Sequence, residues 1–507
     1  MARKNLQHIV LKSESGERIS TVPETFTTSE GITIKSNYSK RDIANLRHLN
    51  FAAGIPPYLR GSYSTMYLQH PWTICEHIAL LKTDRKELST HLDFEIPYNQ
   101  NRDNKVLVFD FEKSDLNIIT VEDMTLLLDQ FAFDNSSVSI PLNSTTLPLM
   151  AFFIVAAEEK GIKLEQLSGT FQLNVFKVLM AQETDSAYQK LLEDILKFNT
   201  QYIPKFNGIT ISGYQLQEAG ATCDIELAYT LAFGLESIKK GIKSGLDIDS
   251  IAPRLSFCFG VGMNHFMEIA KMRTARMLWT KLVKQFNPKN ENSSILRMHC
   301  QTTELLKKEN SHNTITRGTI ETASAILGGT QYLHTTVLNT NNSLAPHGVK
   351  SSTTHVQSYL LEETNITKTV DPWAGSFYLE KLTHDLAEKV WGLLEEIEAL
   401  GGISKAIEAG VPQSRIKDAS EKESIIEANS YKSQEKDSFL SSKTDIQSEQ
   451  LQLIKAERNL EKVNRALLKI NGYSLSEKSD VLTLVIEAAR ERATIDEIRE
   501  ALDIISK

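Results

Sequence analysis

The sequence has few cysteines, no excess of positive charge and no long apolar run. Its cysteines form no CxxC pair, so neither a disulfide framework nor a zinc site is indicated. Buried free thiols in a reducing cytoplasm are expected instead. The formal net charge of −8 argues against a nucleic-acid partner or an anionic membrane surface, because no basic patch dominates. The four cysteines are Cys75, Cys223, Cys258 and Cys300.

Long apolar segments are also missing. The longest one, 147–157, runs directly into two glutamates and a lysine, and it is shorter than the ~20 apolar residues that a membrane-spanning helix needs. It therefore predicts a buried helix. The N-terminal residues lack the apolar core of a secretory signal peptide, and a cytoplasmic location is expected.

What the sequence does contain is a regular alternation of short and long patterned segments between about residue 60 and residue 410. Short apolar or threonine-rich runs are followed by longer amphipathic runs, which predicts parallel βαβ units. So many repeats favour a (β/α)8 TIM-type barrel over an open sheet. The strand-like runs are 106–111, 137–140, 209–212, 254–259, 295–300 and 331–338, and the helical runs are 147–160, 174–198, 217–241, 264–286, 316–327 and 355–363.

Several predicted strands carry small polar residues at alternate positions. Ser137 and Ser139 occupy one strand, and Thr210 and Ser212 occupy another. A TIM barrel is usually filled with branched aliphatic residues. The pattern therefore indicates either that something is threaded through the barrel or that these side chains face loops and barrel ends.

Composition divides the chain into four parts. Residues 1–60 are expected to form an N-terminal arm, and residues 61–411 the barrel. Residues 412–447 are rich in Lys, Glu, Ser and Asp, which predicts a polar linker. Helical patterning returns in residues 448–507 and predicts a small helical extension.

Long motifs cover nearly the whole chain. They include GIPPYLRGSYSTMY, LPLMAFFIVAAEEKG, ITISGYQLQEAGATCDIELAYTLAFG, FMEIAKMRTARMLW, LRMHCQT, LGGTQYLHT and TKTVDPWAGSFYLEKLT. In these motifs the sequence resembles the cobalamin-dependent methylmalonyl-CoA mutase family. The resemblance implies a split (β/α)8 barrel with the pantetheine arm of CoA along its axis. It also implies adenosylcobalamin at the C-terminal face of the barrel, where the cofactor supplies the radical chemistry.

The resemblance implies a set of substrate and CoA contacts. Arg254 matches a cation for a CoA phosphate, Gln172 a donor to the acyl carbonyl, and Glu218 a position that faces the corrin ring. The implied substrate and CoA residues are Tyr63, Thr65, Met66, Thr73, Ser139, Thr170, Gln172, Asn207, Tyr214, Arg254, Ser256, His299, Gln301 and Gln331.

Replacements fall at the positions that carry the family's chemistry. The active-site tyrosine, the arginine for the free carboxylate of methylmalonyl-CoA and the histidine at the thioester carbonyl correspond to His77, Gln182 and Gln215. A neutral amide cannot imitate the two-pronged guanidinium, so a buried substrate carboxylate would lack a partner. Two CoA-phosphate arginines correspond to His70 and Cys75. The resemblance therefore implies that no catalytic residue is retained.

Two further differences concern the cofactor. The segment that lies against it in the family is shortened to residues 94–104, and a ribose-binding glutamate corresponds to Thr340. The DxHxxG signature that supplies the lower axial histidine does not occur in the sequence. No cofactor and no metal is expected to be bound by this chain alone, and adenosylcobalamin is implied for a complex.

Three hypotheses follow. The first is a non-catalytic subunit, like the small subunit of two-chain mutases, whose partner is a catalytic mutase chain. The second is an active mutase half with another acyl-CoA substrate and a separate cobalamin-binding subunit. The third is a CoA-binding regulatory or structural protein outside any mutase complex.

Overall fold

The chain is described by a computed structural model that covers most of its length. The described residues are 25–78, 105–110, 118–128, 136–181, 198, 202–203, 205–303, 311–336, 347–427, 452, 455–472 and 481–503.

Eight parallel strands close into a barrel, which confirms the predicted TIM-type architecture. The last strand pairs with both the first and the seventh strand of the barrel, so the sheet has no open edge. A separate two-stranded hairpin, β1 (Thr25–Thr27) and β2 (Thr33–Lys35), precedes it. The barrel strands are β3 (Thr73–Ile78), β4 (Lys105–Asp110), β5 (Ser136–Pro141), β6 (Gly169–Asn174), β7 (Phe206–Ser212), β8 (Leu255–Val261), β9 (Arg297–Thr302) and β10 (Tyr332–His334).

Helices surround the barrel. Those before and around it are α1 (Lys40–Ile43), α2 (Val121–Leu128), α3 (Thr146–Glu159), α4 (Val175–Ala181), α5 (Tyr214–Glu218), α6 (Cys223–Lys243), α7 (Ile248–Ile251), α8 (His265–Lys284), α9 (Ser311–Gly328) and α10 (His347–Glu362). Those after it are α11 (Phe377–Ala399), α12 (Ile403–Glu408), α13 (Val411–Glu427), α14 (Leu460–Asn471), α15 (Val481–Arg490) and α16 (Ile495–Asp503).

Helix α3 is buried on almost every side, as its apolar sequence predicts. It contacts strand β5, helix α2 and helix α15, so only its last residues, Glu158 and Glu159, are exposed to water. Among the described residues, no helix combines the length and the hydropathy required to cross a bilayer.

The barrel strands alternate between two environments. In β8, Leu255, Phe257 and Phe259 are buried in the apolar core beneath the helices, whereas Ser256 and Cys258 point into the barrel. Successive side chains of a strand point to opposite faces, so the polar positions form the inner wall. Ser137, Ser139 and Thr210 likewise line the interior, as the first of the two interpretations expects.

A buried ion network attaches the segment before the barrel to two later helices. Arg60 Nη1 lies 3.0 Å from Asp371 Oδ2 and 3.0 Å from Glu380 Oε1, and Arg273 Nη2 lies 2.9 Å from Glu380 Oε2. His48 Nε2 is 2.9 Å from the same carboxylate. Burial alone would raise the pKa of Glu380, but the hydrogen bond with His48 and the charge of Arg273 lower it to about 2. The network therefore needs an ionised Glu380.

The predicted polar linker is wrong over its first part. Helix α13 continues to Glu427, and Ile416 and Ala419 are buried. These two residues lie three positions apart and form a short apolar stripe. Composition does not reveal it, because most of the surrounding residues are charged or polar. Residues 428–451 lie outside the described residues. Helices α14 to α16 occupy the predicted helical extension.

Candidate functional site

A cavity of about 250 Å³ lies inside the barrel, and we call it the axial cavity. Most of its lining side chains are small or polar. Among the described residues that line it there is no carboxylate, and Arg297 is the one permanent cation. Its lining residues are Tyr63, Cys75, Ser137, Ser139, Gly169, Thr170, Gln172, Thr210, Ser256, Cys258, Arg297, Met298, His299, Gln301, Gln331 and Tyr332.

Many of the substrate residues named from the sequence meet in this cavity. They come from several strands of the barrel, from the loop before β3 and from the residue preceding β10, so the closed barrel brings them together. They are Tyr63, Ser139, Thr170, Gln172, Ser256, His299, Gln301 and Gln331.

Other substrate and CoA residues named from the sequence are not among those that line the axial cavity. Met66 is buried and lines a separate small cavity beside Arg276. Thr65 precedes the short 3₁₀ turn that contains Met66, and Thr73 begins β3. Arg254 ends the turn that leads into β8.

For four further residues the structure gives partial information or none. Tyr214 is buried at the start of α5. Asn207 lies on β7 and His77 on β3, but their side chains are outside the described residues. Gln182 falls outside the described residues altogether, as do Thr340 and residues 94–104.

Three hydroxyl groups on adjacent strands form a continuous row, the hydroxyl ladder. Thr170 Oγ1 lies 2.7 Å from Thr210 Oγ1, and Thr210 Oγ1 lies 2.7 Å from Ser256 Oγ. Each hydroxyl can donate one hydrogen bond and accept two. The ladder satisfies these groups inside the barrel and leaves capacity for a bound ligand.

Gln172 is oriented by a hydrogen bond next to the ladder. Ser139 Oγ donates to Gln172 Oε1 at 2.7 Å. Because the amide oxygen is engaged, the amide nitrogen is the group that Gln172 can offer to a ligand. That orientation suits a donor to a carbonyl oxygen.

A second cavity, of about 420 Å³, lies at the carboxyl ends of the strands, and we call it the upper cavity. It is bordered by α5, by the loop after β8 and by the residue that follows β9. Active sites of TIM barrels are built at this end. Glu218, the residue expected to face the corrin ring, lines it together with Asn264, Glu268 and Arg317.

Glu268, in the wall of the upper cavity, belongs to a buried group of three charged side chains, the acidic triad of Glu226, Glu268 and Lys271. Lys271 Nζ donates to Glu226 Oε2 at 2.7 Å and lies 2.6 Å from Glu268 Oε2. Burial, with a contribution from the negative charge of Glu268, raises the pKa of Glu226 to about 7 although Lys271 opposes the shift. Burial alone would lower the pKa of Lys271, but the two carboxylates hold it well above its usual range.

The acidic triad also holds α5 in place. Gln217 Nε2 donates to Glu268 Oε1 at 2.8 Å, and the backbone nitrogen of Gly262 donates to the same oxygen at 2.9 Å. Gln217 lies so close to β8 that a Cβ atom at Gly260 would be 1.8 Å from its Oε1. Gln217 therefore anchors the helix that carries Gln215 and Glu218.

Gln215 makes a local contact at the position where the family has its histidine. Ser212 Oγ donates to Gln215 Oε1 at 3.0 Å. A side-chain amide neither gains nor loses a proton near neutral pH, so Gln215 cannot act as a general acid or base.

Sequence reasoning missed several residues of the axial cavity. Cys258 and Arg297 lie two positions from Ser256 and His299 on the same strands, so the period of two would have identified them. Tyr332 carried no such signal, because it is adjacent to Gln331 and does not lie two positions from a named residue.

Comparison with known proteins gives a consistent result. The family model described as Methylmalonyl-CoA mutase matches residues 27–506. The methylmalonyl-CoA mutase large subunit of Porphyromonas gingivalis is 38% identical over 94% of this chain and 71% of that protein. The methylmalonyl-CoA mutase large subunit of Propionibacterium freudenreichii is 36% identical over 99% of this chain and 73% of that protein. The human mitochondrial methylmalonyl-CoA mutase is 38% identical over 94% of this chain and 68% of that protein.

Proposed function

This chain belongs to the methylmalonyl-CoA mutase family, and from that premise we propose that it is the non-catalytic barrel subunit of a methylmalonyl-CoA mutase-type complex. The complex would isomerise methylmalonyl-CoA to succinyl-CoA, with the rearrangement in a catalytic partner chain. This subunit would hold an acyl-CoA along the axis of its barrel.

The axial cavity is the observation that carries this proposal. It is polar, it lies along the barrel, and no carboxylate lines it within the described part of the chain. CoA is an anion with several amide groups in its pantetheine arm. The hydroxyl ladder and the amide nitrogen of Gln172 offer hydrogen bonds to those amides without repelling the negative charge.

The replaced residues support a non-catalytic role. Gln215, whose oxygen accepts from Ser212, can offer a thioester carbonyl only the N–H of a neutral amide, which cannot transfer a proton as a histidine can. Gln182 supplies no positive charge for the free carboxylate of methylmalonyl-CoA, and His77 stands where the family has a tyrosine. A site that lacks both a cation for the substrate carboxylate and an ionisable group at the thioester carbonyl binds more readily than it catalyses.

The upper cavity offers polar groups to the edge of a corrin ring. Glu218 and Asn264 could accept or donate hydrogen bonds there. No histidine lines this cavity in the described ranges, so a side chain that binds the cobalt would come from the partner. Adenosylcobalamin supplies radical chemistry when bound, and we assign its binding to the partner chain.

The proposed setting is the cytoplasm. All four cysteines are free and buried, as expected of a protein in a reducing compartment. We propose no nucleic-acid or membrane partner, in keeping with the net charge of −8.

Co-expression with the catalytic mutase chain of the same source tests the proposal. Each chain is purified alone and together, and mutase activity is measured with added adenosylcobalamin, with CoA binding measured by calorimetry. We expect a stable complex, CoA binding by this chain and no activity from this chain alone.

Two other results would contradict the proposal in different ways. Turnover of an acyl-CoA after addition of a lone cobalamin-binding subunit would make this chain an active mutase half with an altered substrate. CoA binding without any complex would make it a CoA-binding protein outside a mutase.

A further inference from the structure

Two side chains that sequence reasoning did not identify lie side by side in the wall of the axial cavity. Tyr332 on β10 is the register partner of His299 on β9, and Arg297 lies two residues before His299. Both side chains line the cavity. Leu333 points the other way and is fully buried beneath the helices, which fixes the inward direction of Tyr332.

Tyr332 is an unusual residue for this wall. Most of its neighbours around the cavity are small or polar, whereas its ring is large and leaves 41% of the residue uncovered. The other large aromatic residue, Tyr63, is held nearby because Gln331 Nε2 donates to its hydroxyl at 3.2 Å. One side of the cavity is therefore aromatic, in contrast to the hydroxyl ladder.

Arg297 lies beside a second arginine. It is the register partner of Ser256 on β8, and Arg254 lies two residues before Ser256. Burial, and then the positive charge of Arg297, lower the pKa of Arg254. Arg254 does not itself line the axial cavity, but it lies at the amino-terminal end of β8 as Arg297 lies at that of β9, and the two positive charges interact. Two guanidinium groups in this arrangement favour an anion between them.

We propose that Arg297 and Tyr332 determine which ligands enter the axial cavity, Arg297 by binding a phosphate together with Arg254 and Tyr332 by packing against the pantetheine arm. This inference rests on the proposed function, since it assumes that the cavity holds a CoA compound. It assigns separate parts of the ligand to the two residues.

The chemistry of each residue supports its assignment. A guanidinium group presents a planar fork of donors that matches phosphate oxygens. The pantetheine arm carries methyl and methylene groups between its amides, and a tyrosine ring gives these groups a rigid apolar surface. Arg297 is the first residue of β9, so it lies at the amino-terminal end of the barrel, whereas Gln301 lies further along the same strand.

Three ligands separate these contributions: CoA, pantetheine and adenosine 3′,5′-bisphosphate. Binding of each to the full chain is measured by calorimetry or by ligand-observed NMR. The variants are Arg297→Gln, Tyr332→Ser and Tyr332→Phe. Arg465→Gln and Tyr359→Ser, at exposed positions outside the barrel, make the same changes as controls.

We expect Arg297→Gln to weaken the binding of CoA and of the bisphosphate by roughly 10- to 100-fold and to leave the binding of pantetheine unchanged. Tyr332→Ser should weaken the binding of CoA and of pantetheine by about tenfold and leave the binding of the bisphosphate unchanged. Tyr332→Phe and both controls should bind as the unchanged chain does.

Other results overturn the inference. Tighter binding to Tyr332→Ser would show that the ring obstructs the cavity, and an equal loss of all three ligands in either variant would indicate a general distortion. Normal binding by both variants would show that neither residue meets the ligand, while leaving the proposed function intact. Failure of the unchanged chain to bind CoA would overturn the proposed function and the inference with it.

Discussion

Glu226 shows how burial and neighbouring charge act on a single residue. It is fully buried beside Lys271, and its pKa is raised to about 7 from an ordinary value of 4.5. A carboxyl with a raised pKa binds its proton more tightly in the folded chain than in the unfolded chain. Its contribution to stability is complete below pH 4.5 and is lost as the pH rises through about 7.

The variant Glu226→Gln should therefore change the pH dependence of stability. An amide has the shape of a protonated carboxyl group and leaves Lys271 paired with Glu268 alone. We expect the variant to gain stability relative to the unchanged chain as the pH rises from about 5 to about 7, with a constant difference above about pH 8. Urea midpoints at each pH measure this.

Glu461→Gln is the matched control, because the Glu461 side chain is 84% exposed. Its difference from the unchanged chain should not vary with pH. A flat difference for Glu226→Gln as well would mean that the buried carboxylate is ionised throughout.

At the residue scale, the sequence predicts the site better than it predicts the acidic triad. Ser139, Thr170 and Ser256 correspond to substrate positions of the family, and all three line the axial cavity. Glu268 and Lys271 lie three positions apart on α8, a local spacing that predicts a pair. Glu226 joins them from α6 only through tertiary packing, and no local pattern marks that contact.

At the scale of elements, α5 depends on close packing against β8. Gly260 has no side chain, and Gln217 occupies the space that one would fill. Gly260→Ala should displace Gln217 and destabilise the chain by about 1–3 kcal/mol, the usual cost of overpacking. Thermal unfolding measures the effect.

Two companion variants sharpen this test. The double variant Gly260→Ala/Gln217→Ala should recover part of the lost stability, because the competing side chain is gone. Gly392→Ala, in the interior of α11 with no atom within 4 Å of the new Cβ, should stabilise by about 0.5–1 kcal/mol. Equal effects of both single alanines would refute the packing argument.

The elements themselves are predicted unevenly. Helix α8 and strand β8 differ from the expected runs by one or two residues, because their patterns are long and regular. Strands β3 and β6 are absent from the predicted runs. The first, TICEHI, contains a glutamate and a histidine, and the second, GTFQLN, mixes polar and apolar residues. Pairing with neighbouring strands decides their structure, and a local pattern does not contain that information.

At the scale of the whole molecule, the C-terminal helices cover the barrel's most apolar helix. Val485 on α15 is fully buried, and α15 contacts α3. Val485→Asp places a charge in this interface, and we expect a loss of several kcal/mol because a buried unpaired carboxylate is strongly disfavoured. A dye that binds exposed apolar surface should then bind to the variant.

Leu468→Asp likewise replaces an apolar side chain with a carboxylate, but on α14, where the residue is 67% exposed. It should unfold at nearly the same temperature as the unchanged chain. If the two aspartates had equal effects, the C-terminal helices would contribute little to the stability of the barrel.

The closed barrel follows from the alternation of strand and helix, so the global architecture is predictable from pattern. The shape of the axial cavity is not. It depends on which side chains share a level of the barrel, and that is set by the stagger of eight strands in three dimensions. Tyr332 enters the wall for this reason, from a strand of three residues.

The hydroxyl ladder of Thr170, Thr210 and Ser256 consists of donors that rotate about their C–O bonds. In both of its hydrogen bonds either oxygen can be the donor, and Thr170 Oγ1 has the backbone oxygen of Phe171 as a further acceptor at 3.5 Å. The wall can thus offer a proton or a lone pair to whichever amide group arrives. Stabilising a charge that grows during a reaction requires dipoles that already point one way. Rotatable hydroxyl groups therefore suit hydrogen bonding to a ligand better than stabilisation of one developing charge.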